Sequence, residues 1–429
     1  MYYGWYIVAT ALFIAFATTG ARNAFGIFVI PMSDAFGWNR GTISLAASIG
    51  FLVNGLTQPF FGGIFDRQGG RKVILVSLVI VGLATVALSL TFHILFLVFM
   101  FGFVSSSALS GASLTNTGAL LARWFRRKRA TVVGLNAAGA SLGSLLLVPF
   151  AMYLLQATNW RVTWVAMGLI ILVLAVPLAF IFIRDDPRNL GLQPDGDPDP
   201  SDGGAKGTTP TKSGQSGPLE TDQWRQCFRS LPIWQMSGSY FICGFTTAVL
   251  SVHFVPYAID RGVSGSMAAT IFGIMMGLNA LGSIGAGMLS DRFNRKNLLA
   301  LVYFCRGCAY ILLLLLPGAQ GLWAFAAIAG FSWIATAPLT TTLTADVYGL
   351  RALGAISGMS FVFHQVGGAS SILLAGYLYD LTGSYTIPFA IAGALLFPAA
   401  LSAFTIQERK YSMRYQREPR HVGAIATGD

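Results

Sequence analysis

Four side chains set the chemical problem of this sequence. Arg22, in ATTGARNAFG, and Arg306, in YFCRGCAYILLLLL, each stand inside a long apolar run, as do His253, in SVHFVPY, and His364, in FVFHQVGG. A guanidinium costs roughly 2.5 to 3.5 kcal/mol at the centre of a lipid-embedded helix, so a chain that keeps one aims it at a cavity or a partner. Its planar fork of N–H donors matches a carboxylate bidentately. All 17 acidic residues fall at the ends of apolar runs, in loops or in the tails. The apolar interior therefore holds two fixed positive charges and no fixed negative one, a pattern suited to holding an anion. With no interior carboxylate, His253 and His364 are the groups able to carry a proton. Asn54, Asn116, Tyr257, Asn279, Gln365 and Tyr377 add uncharged donors and acceptors that can line a cavity, although each alone serves equally as a bond between helices.

The elements that position these residues follow from composition. The chain is 54% hydrophobic and 10% charged, whereas a soluble domain carries about 25% charged residues. It reads as an all-α integral membrane protein. Apolar runs of membrane-spanning length occur near 5–31, 41–64, 73–92, 94–121, 130–155, 161–183, 232–257, 266–289, 298–316, 321–345, 353–379 and 385–406. The opening MYYGWYIV lacks a basic n-region and a cleavage site, so the first run reads as a retained span. Residues 184–230 form the long polar stretch between runs six and seven. Its core, PDGDPDPSDGGAKGTTPTKSGQSGP, cannot bury enough apolar surface to fold and reads as a flexible linker. The expected organisation is a six-helix half over 1–183, the linker, a second six-helix half over 231–407 and a basic tail over 408–429.

Of the 28 Lys and Arg residues, 23 fall on the side that holds the linker and the tail, and Arg40, Arg161 and Arg261 fall on the other. This asymmetry predicts cytoplasmic termini; the expected location is the plasma membrane, the bacterial inner membrane in particular. It also accounts for the net charge of +11 without nucleic acid as a partner. Cys305 and Cys308 form CRGC inside an apolar run, where two small core residues are expected and not a redox pair. No Walker motif, metal-ligand cluster or nucleophile elbow is found. Neither an enzyme nor a cofactor is expected.

The two halves repeat. Pro31 precedes Asp66 by the same interval that separates Pro256 from Asp291, and in one register Asn54 falls on Asn279, Gly62 on Gly287, Arg67 on Arg292 and Arg71 on Lys296. Shifted by one residue, Gly134 falls on Gly358 and Gly143 on Gly367. Parallel repeats of six spans place a binding site near the midplane between halves that rock against one another. The loops GGIFDRQGGRK and GMLSDRFNRK pair close-packing glycines with an Asp at a helix end beside basic residues. Gly62, Asp66, Arg67, Arg71, Gly287, Asp291 and Arg292 are thus the expected latch, made and broken as conformations alternate.

The pattern Gly62, Asp66, Arg67, Gly69, Arg71, Lys72 resembles the signature loop of the major facilitator superfamily, and the resemblance extends over nearly the whole chain. The stretches FGIFVIPMSDAFGWNRGTIS, ARWFRRKRATVVGLNAAGASLG and HFVPYAIDRGVS are similar to the bacterial monocarboxylate and oxalate/formate branch. The resemblance implies a monomeric secondary carrier of small organic anions, working by alternating access with proton symport or anion exchange. It also marks a departure. Ser283 and His364 occupy the positions at which anion-binding members carry an arginine and, in the oxalate type, a lysine. The work of meeting an anion then moves to Arg22, Arg306 and the histidines. An exporter of lipophilic cations, the alternative within the superfamily, normally needs an intramembrane carboxylate. A non-transporting receptor or assembly factor would not need the repeated latch.

Overall fold

The computed structural model describes residues 2–125, 128–196, 218–219, 224–333, 335–349, 353–412 and 415. Among the described residues, twelve helices are long and apolar enough to cross a membrane, and each coincides with one of the twelve apolar runs. They are α1 (Gly4–Phe36), α2 (Arg40–Phe65), α3 (Gly70–Leu90), α4 (Ile94–Trp124), α5 (Thr131–Ala157), α6 (Trp160–Phe182), α7 (Leu231–Asp260), α8 (Gly265–Ser290), α9 (Arg295–Leu315), α10 (Gly318–Tyr348), α11 (Ala355–Thr382) and α12 (Thr386–Thr405). No β-strand occurs among the described residues.

Small residues decide which helices touch. A Cβ on Gly139 or Gly143 would run into the backbone carbonyl of Leu12 or Phe16, so α5 lies against α1 at backbone distance. In the second half, Gly367 and Gly244 bring α11 and α7 together in the same way, against the carbonyls of Phe241 and His364. Such approach replaces the hydrophobic drive that lipid removes. The repeat also reaches the helix ends. Asp185 accepts from the backbone N–H of Arg71 at 2.7 Å, while Arg71 Nη2 donates to the Phe180 carbonyl at 2.8 Å. Glu408 accepts from the N–H groups of Arg295 and Lys296 at 3.1 and 2.9 Å, while Lys296 Nζ donates to the Phe404 carbonyl at 2.8 Å. In each half a carboxylate beyond the last span holds the positive end of the third span, and a cation on that third span returns to the last span's carbonyls.

Three spans are not continuous. In α1, Ile27 N bonds to Ala24 O in 3₁₀ fashion just after Arg22. In α4, a π-helical stretch (Val98–Ser105) precedes a break at Ala112, which Ser113 and Asn116 bridge. In α10 the helix ends at Ser332 and resumes at Thr336.

The polar stretch between the halves is seated at both ends. Pro187 is buried beside the first half, and Asp186 binds Arg188 at 2.7 Å. Leu219 N donates to Val347 O, and Cys227 packs with Ile233, Tyr348, Ile356 and Ile406 on the second half. The core of the expected flexible linker, residues 197–217, lies outside the described residues, as does the tail from 416 onward.

The halves meet unevenly. The described hydrogen bonds between them run from the middle of the spans to the end opposite the basic loops. At the basic end, the positions where Gly62, Gly134, Gly285 and Gly358 would carry a Cβ face open space.

Candidate functional site

At the middle of the molecule, Arg22 stands on the last turn of the first α1 segment, with its guanidinium 4.3 Å above the ring of Phe51 from α2. Its Nη2 is buried and has no hydrogen-bond partner among the described residues. The aromatic face holds the cation in plane without neutralising it. Phe51 is itself held across the interface, because its carbonyl accepts from Gln365 Nε2 of α11 at 3.2 Å. The same Gln365 nitrogen donates to Asn54 Oδ1 at 3.0 Å, and Asn54 Nδ2 donates to Ser110 Oγ of α4 at 2.9 Å. Asn23, beside Arg22, donates to Ser144 Oγ of α5, and one turn earlier on α5 Ser141 Oγ accepts from Asn279 Nδ2 of α8 at 3.0 Å. Arg22, Asn54, Asn279 and Gln365 are thus brought to one level, joined by spans of both halves. His364 extends this network, with Nδ1 3.3 Å from Gln365 Oε1 and its ring against Tyr240.

His253 lies elsewhere. It is fully buried on α7, with Nε2 3.0 Å from the Ile372 carbonyl and Nδ1 3.2 Å from the Tyr385 hydroxyl. Above it the halves are closed by Arg40, which donates both terminal nitrogens to Asp260 at 2.6 and 2.9 Å and sits 3.9 Å over the ring of Tyr379. The backbone N–H of Gly41 donates to Asp380 at 2.9 Å. The Arg40 side chain is largely covered while Asp260 is exposed, so the strength of the pair comes from its bidentate geometry. This seal was not singled out from the sequence, where Arg40 counted only toward orientation.

Several expected site residues are spent on structure. Arg306 is fully buried; Nη2 donates to the Ser332 and Trp333 carbonyls (the latter at 2.8 Å), and Nε lies 3.4 Å from Ser332 Oγ. These carbonyls end the first segment of α10, where helix geometry leaves acceptors unfilled and the macrodipole is negative. Arg306, expected to meet a substrate, is thus engaged by carbonyls of its own half. Asn116 donates to the Ser110 and Gly111 carbonyls across the α4 break. The Tyr257 hydroxyl donates to the Leu313 carbonyl, and Tyr377 is exposed on the outside of α11. These three do not line the centre either. Cys305 and Cys308 are half-buried and free, so they are not the core residues expected. Of the latch, Arg67 and Arg292 are exposed and Arg71 is held within its own half. The side chains of Asp66 and Asp291 and the surroundings of Gly287 lie outside the described residues.

Twelve spans in two repeated halves, polar at the middle and joined more tightly at one end than the other, have the architecture of a membrane solute carrier. Residues 11–372 match the Major Facilitator Superfamily, and the chain belongs to that family. It is a transporter and not an enzyme. Among curated relatives it is 27% identical to the uncharacterized MFS-type transporter YcxA of Bacillus subtilis, over 90% of this chain and 91% of that protein. It is 26% identical to monocarboxylate transporter 13 of Bos taurus, over 92% of this chain and 87% of that one. Among solved structures, a D-xylose-proton symporter superposes with TM-score 0.74 at 14% identity, covering 97% of this chain and 100% of the other. A bacterial homolog of the human lysosomal transporter Spinster, inward-facing and unoccupied, superposes with TM-score 0.73 at 17% identity, covering 97% and 99%.

Proposed function

We propose that the protein carries small organic anions of the monocarboxylate type across the plasma membrane by alternating access. The observation that carries this reading is Arg22, a cation at the middle of the spans, stacked on Phe51, with a buried nitrogen that no described residue satisfies. A carboxylate supplies both the missing acceptor and the missing charge. Arg306, already engaged with carbonyls, offers no second such site, which favours one carboxylate over two. The kinship with proteins named monocarboxylate transporters supports the same class.

Alternation needs a seal that opens. The Arg40–Asp260 pair and the Gly41–Asp380 contact hold the end away from the basic loops closed. With both termini in the cytoplasm, as the basic loops suggest, this is an inward-facing arrangement. His253 sits under that seal, bonded to Tyr385, where gaining a proton would alter the Tyr385 contact to Arg40. This is the place through which a proton would act if the acid enters with one. If none does, return of the carrier requires a second anion on Arg22.

The test is tracer uptake by the purified protein in liposomes under an inward proton gradient, across short monocarboxylates, dicarboxylates and a lipophilic cation. Saturable monocarboxylate uptake is expected. Collapse on adding an uncoupler indicates symport, and dependence on internal anion indicates exchange. Uptake of the cation alone would overturn the proposal.

A further inference from the structure

Phe51 belongs to the first half, where its ring meets the Arg22 guanidinium at 4.3 Å, yet contacts that fix it in place come from the second half. Its backbone carbonyl accepts from Gln365 Nε2 of α11 at 3.2 Å. That carbonyl lies inside a helix, where the side chain one turn further on leans back over it. Here the residue one turn on is Gly55, and a Cβ on it would stand 2.8 Å from Gln365 Cβ. The missing side chain is the opening through which Gln365 reaches the carbonyl. On the ring itself, a Cβ on Gly368 of α11 would stand 2.8 Å from Phe51 Cδ1 and 2.9 Å from the Ala248 Cβ of α7. The ring edge therefore rests on bare backbone of α11.

Gln365 is buried, and its amide nitrogen serves α2 twice, through Phe51 O and through Asn54 Oδ1 at 3.0 Å. Asn54 passes the contact on to α4, donating to Ser106 O at 3.3 Å and Ser110 Oγ at 2.9 Å. Turned over, the Gln365 amide would set its oxygen against the Phe51 carbonyl, acceptor against acceptor, so it has one orientation. The guanidinium of Arg22, on a long flexible stem, has many; stacking on a fixed ring restricts it to one plane.

We propose that Gln365 is the positioning residue of the anion site: by holding Phe51 from the second half it fixes the plane of the Arg22 fork, and so makes affinity for an anion depend on contact between α2 and α11. The inference rests on the reading of Arg22 as the anion site. While the two helices are together, the fork is presented ready-made to a carboxylate. When they part, Phe51 loses the hold on its carbonyl and the support of its ring in the same movement. The guanidinium then regains its rotamers, and affinity falls by roughly 2- to 12-fold, the effect of having to order one long side chain on binding. Gln365 touches no substrate in this scheme; it acts through Phe51.

Two readouts on the full chain test it. The first needs no solute: para-fluorophenylalanine is placed at the Phe51 position and its fluorine resonance is followed in the purified protein in lipid nanodiscs. Gln365→Leu, which keeps the bulk and removes the bonds, should move or split that resonance. The second is the dissociation constant for acetate, propionate and L-lactate, taken from the shift in thermal unfolding with each acid. Gln365→Leu should weaken the best-bound acid roughly 2- to 12-fold, and Gly368→Ala, which leaves both bonds in place and crowds the ring, should weaken it as well. In a Phe51→Leu background, which keeps the carbonyl but has no ring, Gln365→Leu should weaken binding no further. An unmoved fluorine resonance, or equal weakening with and without the ring, would overturn the inference and leave Gln365 as a bond between the halves only. A resonance that responds in a protein whose wild type binds none of the acids would instead sink the carboxylate reading of Arg22 and leave the hold on Phe51 standing.

Discussion

Replacing Arg22 by Gln separates two quantities that usually fall together. In the protein as described, the guanidinium has one aromatic contact and one buried nitrogen without a partner. Removing it forfeits the cation–π contact, worth about 0.5 to 2 kcal/mol, and relieves a cost of roughly 2.5 to 3.5 kcal/mol for a charge at membrane depth. Stability should therefore stay level or rise by about 1 to 3 kcal/mol. Binding should move the other way, because two charge-assisted bonds to a carboxylate, about 3 to 5 kcal/mol together, have no replacement. At 1.4 kcal/mol per decade this is a loss of about 150-fold to a few thousand-fold in affinity. The assay is thermal unfolding of the purified protein with and without carboxylate. A saturating acid at about 100 times Kd adds roughly 2.7 kcal/mol to the wild type and nothing to Arg22→Gln, which unfolds no earlier than the wild type without ligand. A variant that still transports at the wild-type rate, or that unfolds well below it, would refute the reasoning.

Other expectations are shorter to state. Asp260→Asn should weaken the seal opposite the basic loops and raise the labelling of an introduced Ser48→Cys by a membrane-impermeant thiol reagent applied from that side; unchanged labelling would mean that the pair is not what closes this end. Glu408→Gln, which leaves the Arg295 and Lys296 N–H groups with a weaker acceptor at a buried helix start, should cost about 1 to 2 kcal/mol of stability by thermal or denaturant unfolding. Gly143→Ala, which drives a methyl group into the Phe16 carbonyl, should lower the yield of folded protein, whereas Gly134→Ala, facing open space, should fold normally. Asp186 is held down to about 2 by its hydrogen bonds to Arg188. Because the carboxylate is more acidic when folded, its contribution is full above the ordinary value of 3.8 and fades as pH falls toward about 2. Protection of the Arg188–Leu190 amides, corrected for the intrinsic exchange rate, should fall only in that window, and a loss beginning near pH 5 would contradict it.

The spans and their repeat were legible because lipid imposes a simple rule, about twenty apolar residues between charges, and a duplicated chain keeps its glycines in register. Arg22 was legible for the same reason: a lone charge in an apolar run has to be explained. Arg306 looked identical in one dimension. What separates them is the end of the first α10 segment, a backbone event between Ser332 and Thr336 that nothing in the local sequence of α9 announces. The seal at the end away from the basic loops was missed because Arg40, Asp260 and Asp380 sit at span ends, where charge is ordinary, and only the fold places them face to face. Phe51 was invisible among 32 phenylalanines. Tyr257 and Tyr377 were read as lining residues from chemistry alone; helix rotation decided otherwise.

The glycine seams join α1 to α5 and α7 to α11, helices that are neighbours in space but far apart along the chain. During synthesis, therefore, the first span enters the bilayer long before its partner has been made. Arg22 must wait there without the finished half around it, and α7 waits likewise for α11. The order of assembly is then set by the ribosome: the first half closes only when its fifth span arrives, and the contact of Gln365 with Asn54 comes almost last. A chain stopped before α5 would present α1 with an unpaired guanidinium and a bare glycine face, the kind of half-made surface that membrane quality control is placed to remove.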